Sequence, residues 1–140
     1  AGLRLGYIVS SKPVIKYVQR VVGPFNVNSV TQQAIVLALQ KWSYFKEKID
    51  LVVNEREWLT KNLKQINGVK QYPSDANFIL FKVTKDNLSS AALTERMENR
   101  NVLVKDRGRL PLLENCIRVT VGTRDMNETF VSALKESLEE

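Results

Sequence analysis

Apolar and polar residues alternate along residues 114–123, and this period of two predicts a β-strand. One face of the strand carries Ile117, Val119 and Val121, and the other carries Cys116, Arg118 and Thr120. Arg118 therefore lies in the middle of a predicted strand, where its charge needs a partner because burying an unpaired charge is costly. Two interpretations remain open. In the first, Arg118 is a structural arginine that forms a salt bridge or reaches solvent. In the second, its planar guanidinium donates hydrogen bonds to a bound carboxylate or phosphate.

The rest of the hydrophobic pattern predicts an α+β protein. Helices are predicted at 14–22, 30–39, 42–66 and 88–99 and at the C-terminus, where Met126, Phe130, Leu134 and Leu138 form an apolar face; strands are predicted at 5–9, 69–72, 77–83 and 102–104. Local signals mark several helix ends. Ser11 precedes Pro13 at a helix start, Gly68 ends the long helix, and Asp125 and Glu128 have the spacing of a capping box.

The predicted helix at 30–39, which Asn28 or Ser29 can cap, is apolar on nearly all sides. A helix of this kind requires burial against several neighbours. A chain of 140 residues can hardly supply them all. The pattern therefore indicates that a partner domain is missing.

Composition narrows the classes of function. The chain has 44% hydrophobic and 26% charged residues, which is ordinary for one globular domain. Its single cysteine, Cys116, excludes a disulfide within the chain, and the absence of histidine excludes histidine-based catalysis and leaves no basis for a zinc site. No apolar run is long enough to span a bilayer, which favours a cytoplasmic protein with no membrane partner.

The net charge of +6 could indicate an anionic partner. The basic residues are scattered, however, and the only tight cluster lies at 105–109. A basic module that binds nucleic acid through this cluster is one alternative. The apolar helix and the lack of interleaved exposed aromatic residues argue against it, so no nucleic-acid partner is expected.

Three stretches in a fixed order carry a resemblance to a known family. Residues 1–7 read Ala-Gly-Leu-Arg-Leu-Gly-Tyr, residues 73–78 read Pro-Ser-Asp-Ala-Asn-Phe, and residues 101–106, Asn-Val-Leu-Val-Lys-Asp, are followed at 115–123 by Asn-Cys-Ile-Arg-Val-Thr-Val-Gly-Thr. Together they resemble the C-terminal part of the histidinol-phosphate aminotransferase family. That family belongs to the fold-type-I aminotransferases, which depend on pyridoxal 5'-phosphate.

The resemblance implies an enzyme of histidine biosynthesis that converts histidinol phosphate and 2-oxoglutarate to imidazole acetol phosphate and glutamate, as a cytoplasmic homodimer. Another fold-type-I aminotransferase, of aromatic or broad specificity, is the first alternative. The resemblance further implies three parts of the chain: the end of the large cofactor-binding domain at 1–41, a linking helix at 42–68, and a small C-terminal domain with a mostly antiparallel sheet at 69–140. The family's Schiff-base lysine would lie upstream of residue 1, so the chain alone is expected to be inactive and not to bind the cofactor.

The same resemblance suggests binding residues, but no catalytic residue and no metal ligand. Arg4 would bind the cofactor phosphate; otherwise it is an exposed loop arginine. Arg118 would hold the anionic end of the substrate. Lys105 stands where many relatives carry arginine, and it either approaches the substrate phosphate or belongs to a solvated basic loop at 105–113. Asn77 either lies near the mouth of the site or caps a turn.

Overall fold

The structure is a computed structural model that describes residues 3–140; Ala1 and Gly2, which begin the first motif, lie outside the described residues. The chain divides into two compact units, Ala1–Lys46 and Glu47–Glu140. Within residues 3–140, no helix combines the length and the apolar character needed to cross a membrane.

The first unit contains short helices joined by irregular segments. Helix α1 spans Lys12–Gln19, with proline in its first turn, and helix α2 spans Ser29–Gln40. The side chain of Asn28 caps α2 by accepting a hydrogen bond from the backbone N–H of Thr31 at 2.8 Å, as the sequence predicts. Between residues 3 and 46 only Thr31 is buried. This unit therefore has no apolar core of its own among the described residues.

Residues 5–9 form no strand, so that prediction was wrong. Tyr7, Ile8 and Val9 are 91%, 62% and 87% exposed. An apolar run becomes a strand only when a neighbouring strand satisfies its backbone N–H and C=O groups. No strand within residues 3–140 pairs with this segment.

Helix α3 spans Trp42–Leu63 and ends three residues before the predicted limit. Its last turn tightens, because the N–H of Ile66 bonds to the carbonyl of Leu63 at 3.2 Å. Gly68 then adopts a φ of 90°, a conformation that glycine tolerates without steric cost. Leu59 and Leu63 are fully buried and anchor this end of the helix in the core of the second unit.

One antiparallel sheet organises the second unit. Its strands are β1 (Val69–Gln71), β2 (Phe78–Val83), β3 (Lys105–Asp106) and β4 (Cys116–Thr120), in the order β1-β2-β4-β3. Helix α4 spans Ser90–Glu98 and helix α5 spans Arg124–Glu139. The predicted fold class, α+β with a small antiparallel sheet packed with helices, is confirmed.

The core covers one face of this sheet. In the β2–β4 register Ile79 pairs with Val119 and Phe81 with Ile117, and all four side chains are buried. The Phe81 ring meets that of Phe130 from α5 edge-on, with the centroids 6.2 Å apart. The alternation predicted for β4 is confirmed, except that Cys116, on the polar face, is also buried.

The strand predicted at 102–104 was placed three residues too early. Val102 and Val104 are irregular in backbone and pack partly buried against the core. The paired residues are Lys105 and Asp106, because these two lie opposite β4. Apolar character therefore marks the contact with the core here, and the ladder forms on the charged residues that follow.

The start of α5 also differs from the sequence prediction. Thr123 is its N-cap residue and makes no side-chain capping bond, so the capping box predicted from Asp125 and Glu128 was wrong. Met126 is 65% exposed and leaves the apolar face. The face predicted from Phe130, Leu134 and Leu138 is confirmed, since all three are buried.

Candidate active site

Arg118 lies at the centre of β4, on the sheet face opposite Ile117. Its side chain is half-buried, and its guanidinium carbon lies 5.2 Å from the centre of the Phe78 ring. The Nε atom is buried and has no hydrogen-bond partner within residues 3–140. A buried donor without a partner is costly, so an acceptor that reached this nitrogen would stabilise the arginine.

Lys105 lies directly opposite Arg118 in the β3–β4 register. Directly opposed residues share a face of an antiparallel sheet, with Cβ atoms about 4.5–5.5 Å apart, and like charges in this position destabilise the pair. A bound anion would relieve this repulsion and add charge-assisted hydrogen bonds. Lys105 is exposed, which leaves the pair accessible to a ligand. The structure therefore brings two of the predicted site residues together.

Asn77 immediately precedes Phe78, on which Arg118 stacks. Its carbonyl accepts a hydrogen bond from the N–H of Val121 at 2.9 Å, which ties it to the end of β4. The preceding turn is closed by Ser74, whose hydroxyl donates to the carbonyl of Phe78 at 2.6 Å. Asn77 is thus exposed beside the strand pair that carries Arg118, one residue before Phe78.

Arg4 belongs to the first unit, whereas Arg118 and Lys105 belong to the second. It adopts a φ of 53°, in the left-handed region that few residues with a side chain occupy. Its side chain is exposed, and the described part of the chain offers its guanidinium no hydrogen bond or ion pair. An exposed guanidinium without a partner in the described part of the chain has the chemistry to bind a phosphate group.

A polar cluster that sequence reasoning missed fixes the end of β4. Glu55 accepts hydrogen bonds from Arg124 Nη2 at 2.9 Å and from Asn127 Nδ2 at 3.0 Å. The Asn127 side chain also bonds both backbone groups of Gly122, accepting from its N–H at 2.9 Å and donating to its carbonyl at 3.2 Å. We call Glu55, Arg124 and Asn127 the Glu55 clamp. It holds the turn that follows the strand carrying Arg118.

Charge and packing both support the clamp. The hydrogen bonds from Arg124 lower the pKa of Glu55 below its ordinary value, partial burial opposes this, and the hydrogen bond from Asn127 adds to it. The guanidinium of Arg124 also lies over the Trp58 ring at 4.5 Å, in the geometry of a cation–π contact. The sequence carries no local signal for these contacts, because Glu55 and Asn127 are 72 positions apart.

Residues 1–134 match the family model described as aminotransferase class I and II. The match covers nearly the whole chain, so the chain belongs to the class I and II aminotransferase family. Enzymes of this family depend on pyridoxal 5'-phosphate. The family resemblance predicted from the sequence motifs is thereby confirmed.

The chain is also similar to individual members of known enzyme families. The chain is 40% identical over 138 residues to the histidinol-phosphate aminotransferase of Caldanaerobacter subterraneus subsp. tengcongensis, covering 99% of this chain and 38% of the relative. It thus spans well under half the length of that relative. Among solved structures, L-threonine-O-3-phosphate decarboxylase from Porphyromonas gingivalis is 29% identical with a TM-score of 0.74, covering 99% of this chain and 43% of that chain.

A second solved structure supports the fold alone. The histidinol-phosphate aminotransferase from Sinorhizobium meliloti, solved in complex with pyridoxal-5'-phosphate, has a TM-score of 0.76 at 24% identity. The match covers 99% of this chain and 37% of that chain. The antiparallel sheet and helices described above are therefore the arrangement found in aminotransferases.

Proposed function

We propose that this chain is the C-terminal part of an aminotransferase dependent on pyridoxal 5'-phosphate. The intact enzyme transfers the amino group of histidinol phosphate to 2-oxoglutarate, giving imidazole acetol phosphate and glutamate. The observation that carries this proposal is the 40% identity, over 99% of this chain, to a histidinol-phosphate aminotransferase. Under the same proposal the intact enzyme is a cytoplasmic homodimer that acts on small molecules.

The opposed cations supply the substrate-binding part of this function. Arg118 presents two parallel donors to a carboxylate or a phosphate, and Lys105 adds a second positive charge beside it. Histidinol phosphate, the amino donor of the forward reaction, carries a phosphate, and glutamate, the donor of the reverse reaction, carries a carboxylate, so one fixed pair of cations serves both amino donors. Their role is to bind and orient the donor, since a reactant that is already held in the correct geometry loses less entropy on reaching the transition state. Asn77, one residue before Phe78, would provide an amide near the entrance.

The described residues fit the phosphate end of the cofactor. Arg4 has an exposed guanidinium without a partner among residues 3–140, and a phosphate would satisfy it with charge-assisted hydrogen bonds. When bound, pyridoxal 5'-phosphate supplies the electron sink of amino-group transfer. We assign no covalent attachment site to any lysine of this chain. Residues 1–41 would complete a large cofactor-binding domain, 42–68 would link the domains, and 69–140 would form the small domain.

Exposed apolar side chains support this division. Tyr7, Val21 and Phe25 are 91%, 85% and 95% exposed, and such residues gather in the first unit. Extended apolar exposure is unfavourable for an isolated protein in water and marks surfaces that another protein part covers. The remainder of the large domain and a second subunit would provide that cover in the intact enzyme.

A second candidate function has its own support. The similarity at 29% identity to an L-threonine-O-3-phosphate decarboxylase suggests an enzyme that removes carbon dioxide from a phosphorylated amino acid. Both candidates act on an amine that carries a phosphate, which the opposed cations would bind. An aminotransferase for aromatic amino acids, the alternative raised by the sequence, would lack this phosphate.

Three assays on one preparation separate these candidates. The complete open reading frame that contains this sequence is expressed, saturated with pyridoxal 5'-phosphate, and given histidinol phosphate, L-threonine-O-3-phosphate or phenylalanine, each with 2-oxoglutarate. We expect glutamate to form fastest with histidinol phosphate. Release of carbon dioxide from L-threonine-O-3-phosphate without glutamate would instead favour the decarboxylase, and turnover of phenylalanine alone would favour the aromatic enzyme.

A further inference from the structure

Strand β3 contains only two residues, yet it holds Lys105 directly opposite Arg118. Two cations in this position repel each other, so the short ladder is weakened at its first pair. The next residue, Asp106, pairs with Ile117, which is fully buried on the core face. Successive residues of a strand point to opposite faces, so Asp106 lies on the face opposite to the two cations. What holds β3 in place is therefore to be found around Asp106.

Asp106 is anchored by two hydrogen bonds to one oxygen. Its Oδ1 accepts from the hydroxyl of Ser90 at 2.7 Å and from the N–H of Gly108 at 2.8 Å. Ser90 is only 4% exposed and begins helix α4, so it is a fixed point in the core region. Because the partner hydroxyl is buried, removing the carboxylate would leave it without an acceptor, at a cost in stability.

Asn115 fixes the other end of the same loop. Its side-chain oxygen accepts a hydrogen bond from the N–H of Ser90, and its amide donates to the carbonyls of Val83 at 2.8 Å and Leu88 at 3.2 Å. Both ends of the loop 107–115 are therefore tied to the start of α4. We call Ser90, Asp106 and Asn115 the loop anchor.

The loop anchor leaves no room for a side chain at Gly108. A Cβ at this position would lie 2.2 Å from the Ser90 hydroxyl and 3.2 Å from Asp106 Oδ1. The Gly108→Ala substitution would therefore push the hydroxyl away from Asp106 while leaving every charge in place. This variant separates the geometry of the anchor from its charge.

We propose that Asp106 is a positioning residue: bound to Ser90 and Gly108 on the core face, it holds Lys105 opposite Arg118, so that both cations bind the phosphate of the amino donor. This inference rests on the function proposed above and deepens it. Lys105 contributes more to a phosphate dianion than to a carboxylate. The loop anchor therefore sets the preference for a phosphorylated donor. The hydrogen bonds of Asp106, and not its charge, hold Lys105 in position.

A purely structural aspartate would behave differently. Its loss would lower stability and leave the relative Michaelis constants of the two donors unchanged. In the complete enzyme, we expect Asp106→Ala to raise KM for histidinol phosphate about 10-fold and KM for glutamate by less than about 3-fold, with kcat little changed. Gly108→Ala should reproduce this selective rise. Asp106→Asn should not, because its amide oxygen still accepts both hydrogen bonds.

The coupling to Lys105 is tested by a double-mutant cycle. If Asp106 acts through Lys105, Asp106→Ala has no further effect on KM for histidinol phosphate in the Lys105→Ala background. The matched control is Asp86→Ala, which removes an exposed aspartate outside the anchor and should leave both KM values at wild type. Additive effects, or equal rises of KM for both donors, would overturn the proposal.

A binding experiment on the 140-residue chain keeps this test independent of turnover. Inorganic phosphate is titrated at low salt while the NMR signals of Arg118 Nε–H and the Lys105 backbone are followed. We expect wild type and Asp106→Asn to shift with the same affinity, and Ser90→Ala and Gly108→Ala to bind about 10-fold more weakly. Equal affinities in all four proteins would overturn the role of the anchor. Phosphate binding that follows this pattern, without turnover of histidinol phosphate, would instead refute the proposed function alone.

Discussion

Glu55 and Arg124 form a two-pronged ion pair although 69 residues separate them in sequence. Arg124 Nε lies 3.1 Å from Oε2 and Nη2 lies 2.9 Å from Oε1 of the carboxylate. The same carboxylate binds Asn127, which in turn holds both backbone groups of Gly122. A chain of contacts thus runs from α3 to the turn behind the strand that carries Arg118.

Asn127→Ala is the sharpest test of the Glu55 clamp. Asn127 is 2% exposed, and removal of its side-chain amide would take away its hydrogen bonds to the N–H and the carbonyl of Gly122. We expect the free energy of unfolding to fall by about 1–3 kcal/mol, measured by urea denaturation at pH 7. Asn54→Ala, an exposed position on α3, is the control and should stay within about 0.5 kcal/mol of wild type. An unchanged midpoint for Asn127→Ala would contradict the clamp.

Acid should weaken the clamp through Glu55. Hydrogen bonds from Arg124 hold the pKa of Glu55 below its ordinary value. A group whose pKa is depressed by folding stabilises the protein fully above its unfolded pKa, and this contribution is lost as the pH falls through the folded value. We therefore expect stability to fall below about pH 4.5, the ordinary glutamate pKa, and the loss to be smaller in Glu55→Gln.

Two measurements check this expectation. NMR titration of the Glu55 side chain should give a pKa below that of an unfolded glutamate, and thermal melts from pH 7 to pH 3 should show the reduced pH dependence of Glu55→Gln. Glu57→Gln, at an exposed site two residues further along α3, should keep the wild-type dependence. Parallel pH curves for wild type and Glu55→Gln would show that the ion pair contributes nothing to folding.

Arg118→Lys tests the proposed substrate site in the complete enzyme. The substitution keeps the charge and loses the two parallel donors. If Arg118 holds both amino donors, kcat/KM should fall for histidinol phosphate and for glutamate together, by about 30- to 150-fold. Steady-state kinetics with each donor gives the answer. Arg109→Lys, on the exposed part of the neighbouring loop, is the control. Unchanged kinetics in a folded Arg118→Lys protein would make Arg118 a structural arginine.

The two units should differ in local stability. Buried apolar residues cluster between residues 59 and 138, whereas within residues 3–46 only Thr31 is buried. Amide hydrogen exchange of the 140-residue chain should therefore show strong protection in β4 and weak protection in α1 and α2. Size-exclusion chromatography with light scattering establishes which samples are monomeric. Protection of α1 equal to that of Ile117 in a monomer would contradict the prediction.

The elements predicted best were those whose local pattern and long-range contacts agree. The alternation around Arg118 gave both the strand and its core face, since Ile117 and Val119 are buried and Thr120 is exposed. Asn28 was recognised as a possible cap because capping depends only on residues within one turn. Local signals of this kind can be read directly from the sequence.

The failures share a different cause. Val102 and Val104 have strand-like side chains, but the ladder forms at Lys105, because the register of β4 decides which backbone groups are paired. Asn127 was not singled out, since its value depends on a glutamate on another helix and a glycine in the preceding turn. The loop anchor was missed for the same reason: Ser90 and Asp106 meet only after the chain has folded.

The β2–β4 register places Ile117 on the core side and Arg118 on the accessible side of one strand. This separation has an evolutionary consequence. If Arg118 binds the substrate as proposed, substitutions at position 118 would change what the protein binds without altering the packing beneath it, so specificity could drift while the fold persists. A one-residue insertion or deletion inside β4 would exchange the two faces of the strand. It would abolish the core packing and the placement of residue 118 at once. Descendants of this sequence should therefore vary in length between the two anchored ends of the loop 107–115 and keep β4 free of gaps.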